Sequence, residues 1–149
     1  MSIGFKSWLQ NSKQGLTEQV KKFKNKDFMD AVVAGCAVVA AADGSIDANE
    51  KQKMAGYMSR SDELKVFDMS DVIARFNHYV GNLEFDAMIG KQEALKSIAK
   101  FSNKPEIGRV IVGVCSAIGA ADGDFDDKEK AAVRDICNSL GLNPSEFSL

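Results

Sequence analysis

Apolar positions recur at spacings of three and four along almost the whole chain, which is the period of an α-helix, and only two prolines interrupt them. The first such stretch sets Phe5, Trp8, Leu9, Leu16, Val20 and Phe23 on one stripe, with Lys6, Lys13, Lys21 and Lys22 between them. This pattern predicts a basic amphipathic helix within 1–24, with a break near Gly15. Asn25 then suits the cap of a helix over about 27–42, whose Ala, Val and Gly content is apolar on nearly every face and so belongs at a bundle centre. Asp43-Gly44 ends it. Asp47, with Glu50 three residues on, opens a helix over about 48–60 that shows Met54, Tyr57 and Met58 to the core. A short helix or compact loop over 61–69 is anchored by Leu64 and Phe67. Val72, Ile73, Phe76 and Val80 define a helix over about 71–82, and Phe85, Met88, Ile89, Leu95 and Ile98 define another over about 85–101. Pro105 suits the first turn of a second apolar helix, about 105–121. Asp122-Gly123 ends that helix, and Asp126 with Glu129 opens another over about 127–140, which buries Val133, Ile136, Cys137 and Leu140. Asn143-Pro144-Ser145-Glu146 starts a final turn.

Two of these segments repeat each other. The run Ala41 to Lys51 returns as Ala120 to Lys130 without a gap, at an offset of 79 positions, and the match extends upstream to Cys36 against Cys115. The expectation is an all-α, single-domain bundle of about seven helices over 1–149. Repeat halves of about 27–60 and 105–140 would lie around two central apolar helices related by a pseudo-twofold axis. Gly35 in the first helix, with Gly113 and Gly119 in the second, would let the two cross closely.

Composition narrows the setting. The most apolar runs, Ala31–Ala42 and Val110–Ala121, are 12 residues each, against the roughly 20 needed to cross a bilayer. Three cysteines, Cys36, Cys115 and Cys137, are odd in number and share no CxxC spacing. They read as reduced core residues of a cytoplasmic protein. No signal-peptide pattern is present at the N-terminus, so secretion is unsupported. The net charge of −2 conceals an uneven layout: residues 1–26 hold six lysines and the single acid Glu18, whereas 122–129 hold five acids against Lys128.

The acidic turns carry the main chemical suggestion. Asp43, Asp47 and Glu50, like Asp122, Asp126 and Glu129, gather three carboxylates around one glycine turn, and Asp124 makes the second copy the more acidic. Oxygen sets of this kind suit hard divalent cations such as Ca²⁺ and Mg²⁺, with Zn²⁺ a further candidate. The spacing reproduces the second half of an EF-hand loop, but Val39, Ala41, Ile118 and Ala120 stand where the first half would place ligands. Neither turn can enclose Ca²⁺ alone, and a cation would have to be shared. The competing reading is that the same residues are helix caps beside a solvated acidic patch. The basic N-terminal stripe likewise admits a lid over the core or a contact with an anionic membrane surface or a partner helix. Nucleic-acid binding lacks both a motif and a basic overall charge. The lone histidine, His78, has no catalytic partner at a telling distance and is expected at the surface.

Several runs together carry a family resemblance: Lys24-Asn25-Lys26-x-Phe28-Met29, Ala42-Asp43-Gly44, Glu50-Lys51-Gln52-Lys53-Met54, Glu63-Leu64-Lys65-Val66-Phe67-Asp68, and Asp122-Gly123-Asp124-Phe125-Asp126-Asp127. Over nearly its full length the chain resembles the TerB tellurite-resistance family, whose wider superfamily includes a domain of a membrane-anchored DnaJ-like co-chaperone. The resemblance implies an all-α, cytoplasmic, non-enzymatic protein of a metal-stress response, acting in places at the inner membrane. It also implies partners among the other Ter proteins, namely the integral membrane protein TerC and calcium-binding TerD-type proteins. The family's acidic positions fall on Asp43, Asp47, Glu50, Asp122, Asp126 and Glu129.

Overall fold

The computed structural model describes residues 15–42, 46–121 and 125–149. Phe5, Trp8 and Leu9 therefore lie outside the described residues. The fold is all-α, with no strand among the described residues. Helix α1 is described over 15–23, and α2 (Lys26–Ala40), α3 (Ala48–Arg60), α4 (Met69–Phe85), α5 (Ala87–Ala99), α6 (Pro105–Gly119) and α7 (Asp127–Leu140) follow. One turn of 3-10 helix, Leu64–Val66, joins α3 to α4, and another, Pro144–Phe147, follows α7. The offset of the sequence repeat carries the bounds of α2 onto those of α6, and the start of α3 onto that of α7.

Helix α2 is the hub, packing on α4, α5, α6 and α7. Its start is set by Asn25, whose side chain accepts a hydrogen bond from the Phe28 amide at 2.7 Å. Every residue from Ala31 to Val39 is buried, which is why no polar side chain appears in that run. Phe28 fills the space below, edge-on to Phe101 and tilted against Phe67, both at 6.3 Å between ring centres. Helices α2 and α6 meet closely at Gly35: a Cβ there would lie 2.4 Å from the Cys115 sulfur, so any larger residue would force the helices apart. Leu16 and Val20 of α1 are buried, and Leu16 lies against Gly113 of α6, so the described part of the basic helix covers the core. Helix α7 ends at Gly141 with φ of 71°, a left-handed cap in which the Leu142 amide reaches back to the Cys137 carbonyl at 2.9 Å.

A polar network absent from the sequence reading ties three helices. Asp30 of α2 accepts from Arg75 Nε of α4 at 2.6 Å and from the Tyr79 hydroxyl, which also meets Ser97 of α5 at 2.7 Å. The Asp30 hydrogen bond raises the Arg75 pKa, and burial raises that of Tyr79.

The helix expected over about 85–101 is corrected at its start. Helix α4 runs on to Phe85, and Asp86 both closes α4 and caps α5, accepting from the Ile89 amide at 3.0 Å. Phe85, Met88 and Ile89 are 90%, 72% and 56% exposed. The period was right for Ile98, which is fully buried. It failed at the corner, because a reversal of chain direction at Asp86 turns that face outward.

Candidate cation site between the acidic turns

Asp47 and Asp126 are N-caps, as their spacing predicts. Asp47 Oδ1 accepts from the Glu50 amide, and Asp126 Oδ1 from the Glu129 amide, each at 2.8 Å. Beyond this the two copies differ. In the second, Glu129 Oε1 reaches back to the Asp126 amide at 3.4 Å and closes a reciprocal capping box. In the first, Glu50 makes no such return bond, and its Oε2 is buried without a hydrogen-bond partner. An unpaired buried carboxylate oxygen costs about 1–3 kcal/mol or more, so capping alone does not account for where Glu50 points.

Glu50 also lines a cavity of about 260 Å³, together with Lys53 and Tyr57 of α3 and with Asp126 and Glu129 at the start of α7. Val39 and Ile118, buried at the ends of α2 and α6, form its apolar floor. These are two of the positions where an EF-hand would carry oxygen ligands. The structure thus brings Glu50, Asp126 and Glu129 to one cavity although they come from copies 79 positions apart. Asp47 is exposed and does not line it. Asp43, Asp122 and Asp124 lie outside the described residues. Among the described residues, no group of three His, Cys, Asp or Glu side chains is close enough to hold a metal ion. The three acids that line the cavity do not by themselves make a metal site among the described residues.

Sequence reasoning missed Lys53 and Tyr57. They stand three and seven residues after Glu50, a helical spacing that was available as a signal. Lys53 brings a positive charge to the same wall, so the cavity is of mixed sign.

The other candidates resolve simply. Cys36, Cys115 and Cys137 are free and buried, as expected. The hydrogen bond between Cys36 and Cys115 and complete burial hold the Cys115 thiol well above its ordinary pKa, and burial, aided by the Glu146 charge, pushes Cys137 up to about 12. Such thiols stay protonated and are poor nucleophiles. His78 is exposed, within 3.4 Å of Asn82 and edge-on to Tyr79 at 5.3 Å. No helix among the described residues is long and apolar enough to cross a membrane.

Comparison with known proteins agrees with the residue runs. Residues 29–149 match the family described as Tellurite resistance protein TerB. The Tellurium resistance protein TerB of Alcaligenes sp is 43% identical over 112 residues, a span covering 74% of this chain and 92% of that protein. No solved structure matches significantly. Matched over most of its length by both comparisons, the chain belongs to the TerB tellurite-resistance family.

Proposed function

We propose that this protein is a non-enzymatic, cation-responsive interaction module of tellurite resistance, in which the cavity between the acidic turns takes up a divalent cation and so biases partner docking. The observation that carries this reading is the buried, orphaned Oε2 of Glu50, a residue that lines one cavity with Asp126 and Glu129. A hard cation is the natural partner for such an oxygen. Asp43, Asp122 and Asp124, adjacent in sequence to the cavity's ends, would supply further ligands. A bound ion would tie the start of α3 to that of α7, and the proposed partners are other Ter proteins, of the TerC membrane type or the calcium-binding TerD type, met at the cytoplasmic face of the membrane.

Titrating metal-free protein with Ca²⁺, Mg²⁺ or Zn²⁺ under residue-level NMR tests this. The amides of Glu50, Asp126 and Glu129 should shift first and saturate, and Glu50→Gln should weaken the response while the rest of the spectrum is kept. Scattered, non-saturating shifts at millimolar metal would refute it.

A second reading is favoured by the capping bonds themselves. Because Asp47 and Asp126 are already engaged with backbone amides, the acidic face would serve as a metal-independent docking surface for a basic partner segment. Partner capture that persists in chelator, and weakens on Asp126→Asn with Asp127→Asn, selects this reading over the first.

A further inference from the structure

The corner between α4 and α5 carries an apolar patch that the fold does not use. Phe85, Met88 and Ile89 are all exposed, Phe85 at 90%, whereas the other large apolar side chains among the described residues are at least partly covered. The patch is held rigidly outward. Asp86 terminates one helix and caps the next, and Gly90 seats directly on the α4 backbone, where a Cβ would lie 2.6 Å from the Leu83 amide nitrogen. The backbone that carries Phe85 therefore cannot shift without unseating α5 from α4.

Beside this knob lies a hole. A cavity of about 510 Å³ opens at the foot of Phe85, floored by Val38, Ala41, Ile46, Leu83, Ala131 and Ala132. Three of the six are alanines, and it is their short side chains that leave the space. The rim is charged but balanced. Lys91 pairs with Asp135 and Lys51 with Glu84, each at 2.6 Å, and Lys128 and Asp86 add one charge of each sign.

We infer that this corner is a self-association surface, on which Phe85 of one copy enters the alanine-floored cavity of a second copy and receives the second copy's Phe85 in return. A twofold interface needs a patch complementary to itself, and an adjacent knob and hole on one face satisfy that requirement. The rim charges decide between occupants. A patch of one sign would repel its own copy and attract an anionic surface or a charged partner. A balanced rim does neither, and its charges can re-pair across the axis. Exposed aromatic anchors beside a pocket are the usual centre of such contacts. The inference does not depend on the cation reading.

The experiment is sedimentation equilibrium on the full chain from about 1 μM to about 1 mM, the range in which a modest interface associates. Wild type is compared with Phe85→Ala, which removes the knob, and Ala131→Trp, which fills the hole from an exposed position on α7. Both sites face solvent, so circular dichroism should report an unchanged fold. The expected result is a monomer–dimer equilibrium in wild type, with each variant raising the dissociation constant by about tenfold or more. A wild type that stays monomeric throughout overturns the inference. So does a dimer that either variant leaves untouched, or protection of Phe85 that appears only with phosphatidylglycerol vesicles.

Discussion

Gly90→Ala and Gly81→Ala are the same chemical change in adjoining helices, and the structure gives them opposite signs. In a helix interior, replacing Gly by Ala is favourable by about 0.5–1 kcal/mol, because it removes backbone freedom from the unfolded chain. At Gly81, exposed on α4, a new Cβ would meet nothing within 4 Å, so the whole gain should be realised. At Gly90 the Cβ would lie 2.6 Å from Leu83 N and 2.7 Å from Asn82 C and O. These are backbone atoms of α4, which cannot step aside as a side-chain tip can. Relief requires α5 to lift away from α4, and overpacking of this kind costs about 1–3 kcal/mol, occasionally more. With the clash at the upper end and the propensity gain set against it, Gly90→Ala should destabilise by about 2 kcal/mol. At about 2–4 °C per kcal/mol for a chain of this size, Tm should fall by about 4–8 °C. Gly81→Ala should raise it by about 1–4 °C. Urea titration followed by circular dichroism measures both. A Gly90→Ala protein as stable as wild type would refute the close seating of α5 on α4, and with it the rigid presentation of Phe85.

Two further changes probe the interior. Tyr79→Phe removes the hydroxyl shared by Asp30 and Ser97 and should cost about 1–3 kcal/mol, read by the same titration, with little further loss when Ser97→Ala is added. The Cys137 thiol, raised from 9.0 to about 12 by burial, favours the folded state in its protonated form. That contribution is complete below pH 9 and lost as pH rises toward 12, in a window where the raised Tyr79 group acts in the same sense. Stability should therefore fall over this range, and Cys137→Ala should flatten the slope by up to about 1.4 kcal/mol per pH unit. An unchanged slope would show that this thiol does not contribute.

The caps at Asn25, Asp47 and Asp126 were legible in the chain because a cap is settled within about four residues: a side-chain oxygen, an amide two or three positions on, and an apolar run behind them. The burial of α2 and α6 was legible for a related reason, since a helix apolar on every face has no stable place but the centre. The basic stripe of α1 left open whether it was a lid, and only the seating of Leu16 against Gly113 decided it for the described part.

The candidate site was half legible. Its acids were picked out by spacing, but nothing local distinguishes a Glu50 that closes a capping box from one that turns into a cavity. Glu129 stands at the same spacing from its cap and does the former. Periodicity misassigned Phe85, Met88 and Ile89 because it assumes that a stripe continues along one axis, and the chain turns at Asp86.

The chain by itself determined its helices, its caps and the residues that must be hidden, all consequences of backbone geometry and solvent aversion over a few neighbouring positions. Tertiary packing alone decided that Glu50 shares a cavity with Asp126 and Glu129, that Asp30 reaches Tyr79, and that the α4–α5 corner faces solvent. Each of those depends on how helices distant in sequence cross, and the crossings are set by where glycines such as Gly35 and Gly90 let two backbones approach.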